Sequence, residues 1–88
     1  MSERFFLYDD LEDTKTRFIS FMGENKRFDL ALIRSSRFYG KQLVLDLQGS
    51  RFAIIGSDDL EEEGYLESIY QLSEEDAVEL RAFLYEVI

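Results

Sequence analysis

The chain contains no cysteine and no histidine. Without Cys there is no disulfide framework, no thiolate-held zinc and no thiol nucleophile, a composition that fits a reducing cytosol. Without His no imidazole can serve as general base, metal ligand or pH switch. Proline is missing as well. Nothing marks a linker or a low-complexity tract, and residues 1–88 read as a single domain. Long hydrophobic runs are also lacking: none approaches the roughly 18 residues needed to span a bilayer. The opening MSERFFLYDD sets an acidic pair after a short apolar run, unlike a signal or transit peptide. Together these absences predict a soluble cytoplasmic protein with no membrane association and no cofactor.

What is present is enough apolar material for one modest core: 45% of the residues are hydrophobic and 15% aromatic, too many for a disordered acidic tail. The clearest pattern is KQLVLDLQGSRFAIIG, residues 41–56. Leu43, Leu45 and Leu47 alternate with Gln42, Val44, Asp46 and Gln48, and Phe52 and Ile54 with Arg51, Ala53 and Ile55, which is the two-residue period of a strand. Gly49-Ser50 between them suits a two-residue hairpin turn. Closing the turn there predicts Gln48 opposite Arg51, Leu47 opposite Phe52 and Leu45 opposite Ile54, with the large apolar side chains on one core face.

Upstream, Thr14–Met22 and Phe28–Ile33 lie on either side of Gly23-Glu24-Asn25-Lys26, a turn composition. A hairpin centred on Glu24-Asn25 predicts Phe21 opposite Phe28 and Ile19 opposite Leu30. Ser35–Gly40 connects this hairpin to the next, giving a four-stranded antiparallel meander. Arg4–Tyr8 (RFFLY) is a candidate fifth strand. After Gly56 the period changes. Ser73 is a candidate N-cap with Glu74, Glu75 and Asp76 in the first turn, where the helix dipole favours negative charge. Ala77, Leu80, Phe83, Leu84 and Val87 then form an apolar stripe at helical spacing. Gly64 is followed by Leu66, Ile69 and Tyr70, which predict a short preceding helix, although alternation through Leu66, Ser68, Tyr70 and Leu72 also fits a strand. The predicted fold class is α+β: an antiparallel meander of four to five strands with C-terminal helix or helices packed on one face.

The chemistry-bearing residues form no recognisable catalytic constellation. The acidic runs Asp9–Asp13 and Asp58–Glu63 place leucines (Leu11, Leu60) where a calcium loop needs oxygen donors, and read as solvated loops. There is no GxSxG elbow, phosphate-binding glycine loop or dinucleotide fingerprint. No catalytic, metal or cofactor-binding residue is assigned, and the expectation is a protein that is not an enzyme.

Charge is unevenly spread. Residues 14–56 carry eight basic and three acidic side chains, a net of +5, whereas residues 1–13 net −4 and residues 57–88 net −10. A basic sheet with an aromatic loop, Arg37-Phe38-Tyr39-Gly40-Lys41, could contact a polyanion through Arg27, Arg34, Arg37, Tyr39, Lys41 and Arg51. Glu61, Glu62 and Glu63 are the acids expected to mask it. Ala31, Ile33, Val44, Ala53 and Ile55 would make the second sheet face too apolar for water. That face calls for a cover: residues 4–8 curling over it, or another protein chain.

Three strings, FFLYDDLEDTKTRFISFMGEN, RFAIIGSDDLEEEGYLE and LSEEDAVELRAFLYEV, give the chain its family character. In them it resembles a small family of Firmicutes proteins grouped as a domain of unknown function. The resemblance covers most of the length and implies a bacterial cytosolic protein. It brings no catalytic or binding residues with it. Two functional expectations follow from the residues: a small non-enzymatic interaction or regulatory module acting through protein contacts, with a protein partner or as a homodimer; or a binder of RNA or another polyanion.

Overall fold

The computed structural model describes residues 3–88. Four strands, β1 (Lys15–Met22), β2 (Arg27–Arg34), β3 (Gln42–Asp46) and β4 (Arg51–Ile55), form an antiparallel meander in the order β1-β2-β3-β4. Three helices follow: α1 (Ser57–Glu61), α2 (Tyr65–Tyr70) and α3 (Glu74–Val87). This is the α+β architecture that the change of period after Gly56 predicts.

The first hairpin pairs Phe21 with Phe28 and Ile19 with Leu30, as the turn composition requires. The Phe21 ring stacks on Phe28 and meets Phe83 of α3, each at 4.9 Å between centroids. Such contacts add to the area term that holds helix on sheet. The Glu79 carboxylate of α3 accepts from the Glu24 backbone N–H at 2.9 Å, and Glu75 accepts from Asn25 Nδ2 at 2.8 Å. Acids in the early turns of α3 thus also cap the β1–β2 turn.

The second hairpin departs from expectation. Leu45 lies opposite Phe52, Leu43 opposite Ile54 and Asp46 opposite Arg51. The turn is a four-residue loop, Leu47–Ser50, and Ser50 rather than Gly49 takes positive φ (56°). The register has moved by two residues, which preserves parity and therefore which side chains share a face. The Leu47 N–H donates to Asp29 O at 2.9 Å, and the Gln48 amide donates to the Asp29 carboxylate. These bonds to β2 replace the ladder that a tighter turn would have made.

The faces are also exchanged on β3 and β4. Against the helices lie Phe28, Leu30, Leu32, Val44 and Ile55, buried with Leu60, Leu66, Tyr70, Ala77, Leu80 and Leu84. Val44 and Ile55 are core, not outer face, while Leu43, Leu45, Phe52 and Ile54 point away from the helices. Sequence alternation favoured the leucines because their partners include Gln42 and Asp46. In the fold those two polar side chains are buried and satisfied: Gln42 Nε2 donates to Val87 O at 2.9 Å, and Asp46 accepts from the Gly49 N–H at 3.3 Å. Tyr70 adds a third buried polar link, its hydroxyl donating to Val44 O at 2.7 Å. Burial pushes its phenol pKa well up.

Helix α3 begins as expected, with Ser73 Oγ accepting from the Asp76 N–H at 3.2 Å. Helix α2 resolves the ambiguity after Gly64 in favour of helix. Helix α1 falls where the sequence reads as an acidic loop. Asp59 Oδ2 accepts the Gly56 N–H at 2.8 Å and so caps the first turn, while Leu60 is buried. Residues 4–8 form no strand, and Phe5, Phe6, Leu7 and Tyr8 are all exposed. The meander therefore has four strands, and its outer face has no cover from its own N-terminal segment.

Candidate interaction surface

The uncovered sheet face is organised in rows that the register sets. Phe18, Ala31, Leu45 and Phe52 lie opposite one another across all four strands, and Thr16, Ile33, Leu43 and Ile54 form the neighbouring row. Small Ala31 sits inside the first row, buried between its larger neighbours, and the two phenylalanines stand at the row's ends, roughly 14 Å apart over three interstrand spacings. Phe18 is 74% exposed, Phe52 67% and Ile54 44%. With Leu47 they leave on the order of 400 Å² of apolar surface in water, within the range of the largest apolar patch on an ordinary monomer. At one end the face turns polar: Arg27 bridges Asp29 at 3.0 Å and donates to Ser20 Oγ at 3.1 Å. The Ser20, Gln48 and Arg27 hydrogen bonds hold the Asp29 carboxyl below its ordinary pKa.

The six residues considered for polyanion contact do not share a patch. Arg27 and Arg51 stand at the end of the sheet that carries the two hairpin turns, whereas Arg34, Arg37, Tyr39 and Lys41 stand at the other end. An eight-residue strand such as β2 separates the ends by roughly 23 Å. Carboxylates engage three of the five cations. Arg27 pairs with Asp29, Arg37 with Asp10 (3.6 Å) and Glu12 (3.4 Å), and Lys41 with Asp58 (3.5 Å) and Asp59 (3.0 Å). The hydrogen bond that Lys41 donates to Asp59 raises the Lys41 pKa, and the Gly56 N–H followed by Lys41 lowers that of Asp59. Arg37 also lies over the Tyr8 ring at 4.9 Å. Tyr39 is fully out in solvent at a left-handed loop position (φ 51°).

An open cleft of about 580 Å³ lies at the Arg34 end, lined by Lys15, Arg34, Ser35, Ser36 and Lys41 among others. Lys15 and Arg34 face each other directly across β1 and β2, an unfavourable like-charge pair. Glu61, Glu62 and Glu63 are not the masking acids: they line a separate cleft beside Arg81 and Tyr85, away from the sheet cations. Among the described residues no group of three or more acidic side chains is placed to hold a metal ion, and no helix is long and apolar enough to cross a membrane.

A four-stranded meander with helices on one face and an open apolar second face thus defines a small α+β module with a surface suited to protein contact. The chain belongs to the SAV0927-like family, whose model matches residues 7–86. That span contains nearly all of the three strings on which the family resemblance rests. No curated protein matches the chain.

Proposed function

We propose that this protein is a non-enzymatic interaction module of the bacterial cytosol, acting through protein contacts made by the open face of its sheet. The observation that carries the reading is the apolar row Phe18–Ala31–Leu45–Phe52, whose terminal phenylalanines are 74% and 67% exposed while the apolar side chains of the opposite sheet face pack against the helices. The dispersal of the basic residues among carboxylates supports protein contact over a polyanion groove. The test is a pull-down from a bacterial lysate with wild type and Phe52→Glu, each with and without nuclease. Capture that survives nuclease and is lost with Phe52→Glu supports the reading. Capture indifferent to Phe52, or no capture by a protein that is itself monomeric, refutes it.

One observation favours a second reading, contact with RNA or another polyanion. Among the described residues, Lys15 and Arg34 form no ion pair with a carboxylate at the mouth of the 580 Å³ cleft. Nuclease-sensitive capture lost with Arg34→Ala, and weakened steeply by salt, would select it.

A further inference from the structure

We infer that the open sheet face receives the N-terminal arm of a second copy of this chain, two copies exchanging arms about a two-fold axis. The inference rests on the interaction reading above and names its partner. The arm runs from the start of the described residues to β1, with no regular secondary structure. Phe5 is 90% exposed and Leu7 88%, and Phe6, Tyr8 and Leu11 are likewise in water. An apolar-aromatic segment and an apolar sheet face on one molecule, both unpartnered, are complementary in kind. The exposure of Phe18 and Phe52 shows that the arm does not lie on its own sheet. Its root is held elsewhere: Glu12 accepts from Ser35 and Ser36 on the β2–β3 connection and pairs with Arg37, which also covers Tyr8.

Length and area agree with exchange. Phe5–Leu11 in extended form reaches roughly 20 Å, enough to cross the roughly 14 Å between the outer strands once the Arg37 contacts at Tyr8 and Asp10 are released and Glu12 alone holds the root. The five large arm side chains expose on the order of 800 Å². Burying half of that on each of two arms, with matching area on two faces, removes roughly 1,600 Å², the size of a stable interface. By register the open face carries one cation, Arg27, already paired with Asp29, so the apolar row rather than charge receives the arm. The contact is isologous, and the same two surfaces serve both copies.

Sedimentation velocity and light scattering over a concentration series test this on the full chain with two variants. One removes the arm's apolar side chains (Phe5→Ser, Leu7→Ser and Leu11→Ser together); the other spoils the face (Phe18→Glu with Phe52→Glu). All of these positions but Phe18 and Phe52 lie outside the strands, and those two are mostly exposed, so an unchanged circular-dichroism spectrum is expected of both, with the melt lowered only by the lost dimer stabilisation. Wild type is expected to dimerise and each variant alone to be monomeric. An equimolar mixture should recover a heterodimer weaker than wild type, because one intact arm then meets one intact face. Wild type that stays monomeric overturns the inference, whether or not hydrogen exchange finds the arm protected on its own sheet. A dimer that survives the arm variant but not the face variant overturns arm exchange in favour of sheet-on-sheet packing. Two monomeric variants that do not complement overturn it as well. In each of these cases nuclease-resistant, Phe52-dependent capture of another protein would leave the interaction module standing, and its absence would remove both.

Discussion

Ile54 and Ile55 are adjacent, chemically identical and on opposite faces of β4, which makes them a direct probe of the sheet's orientation. Ile55 is 0% exposed in the core, against 44% for Ile54 on the open face. Truncation to Ala removes three carbons at either site. At Ile55 the transfer loss is roughly 2.4 kcal/mol at about 0.8 kcal/mol per buried carbon, and the cavity left under α2 and α3 brings the cost to roughly 3–5 kcal/mol. At Ile54 a little over half of the side chain is covered and the site opens to water, so no closed cavity forms and the cost is about 1 kcal/mol. A domain of this length holds roughly 4–13 kcal/mol in total, so Ile55→Ala removes a large share while Ile54→Ala is tolerated. Urea denaturation followed by far-UV circular dichroism, at the lowest workable concentration to keep the face uncovered, gives both numbers from the shift in midpoint at constant slope. Ile55→Val, at about 0.5–1.5 kcal/mol, keeps the measurement available if Ile55→Ala does not fold. Equal costs, or a larger one at Ile54, would place the helices on the wrong side of the sheet and refute the assignment of faces.

Three further outcomes are expected. Leu80→Ala, fully buried on α3, should cost roughly 2–5 kcal/mol, and truncation before Ser73 should abolish the cooperative thermal transition. Tyr70→Phe deletes the buried bond to Val44 O and should cost about 0.5–1.5 kcal/mol with no change in the circular-dichroism spectrum. Asp59, held below its ordinary 3.8 by the Gly56 N–H and Lys41, has a depressed folded pKa. Its contribution is therefore present above the unfolded value and lost as pH falls through the folded one, so Asp59→Asn should flatten the acid limb of a stability profile below about pH 4. An unchanged limb would show that the α1 cap and the Lys41 pair do not operate in solution.

How far the sequence could be read follows from where its signals were local. Strand alternation, the Glu24-Asn25 turn and the Ser73 cap each depend on a few neighbouring residues, and each appears as expected. The faces of β3 could not be read the same way. Leu43 and Leu45 outweigh Gln42, Val44 and Asp46 in apolarity, yet the fold buries the second set because Gln42 reaches the end of α3 and Asp46 ties its own turn. Those bonds join positions 45 and three residues apart respectively, and only the first is invisible to any local pattern. Val44→Glu illustrates the cost of the misreading: on an outer face it would yield a soluble monomer, whereas in the core it buries an unpaired carboxylate and should unfold the domain. Residues 4–8 misled for a related reason. Their composition favours a strand, but they have no neighbour in this chain to complete the ladder, and β propensity is realised only against one. The candidate surface was legible as a need for cover, not as a particular set of side chains.

The charge asymmetry looks at first like the dominant feature of the chain, and the fold shows why it is not. Acids are spent locally: Asp29 on Arg27, Asp10 and Glu12 on Arg37, Asp58 and Asp59 on Lys41, Glu75 and Glu79 on the β1–β2 turn. Each exposed pair is worth only about 0–1 kcal/mol, and beyond roughly 8–10 Å salt screens what is left. Three of the eight cations of residues 14–56, Arg27, Arg37 and Lys41, are thus paired with carboxylates, and the other five are spread over both ends of the sheet instead of forming one basic groove. The open apolar face is a larger quantity. About 400 Å² at roughly 25 cal/mol per Å² offers on the order of 10 kcal/mol before the cost of association, an order of magnitude more than any single ion pair here. Charge can set the orientation in which a partner arrives; the free energy available to hold it lies in Phe18, Phe52 and their row.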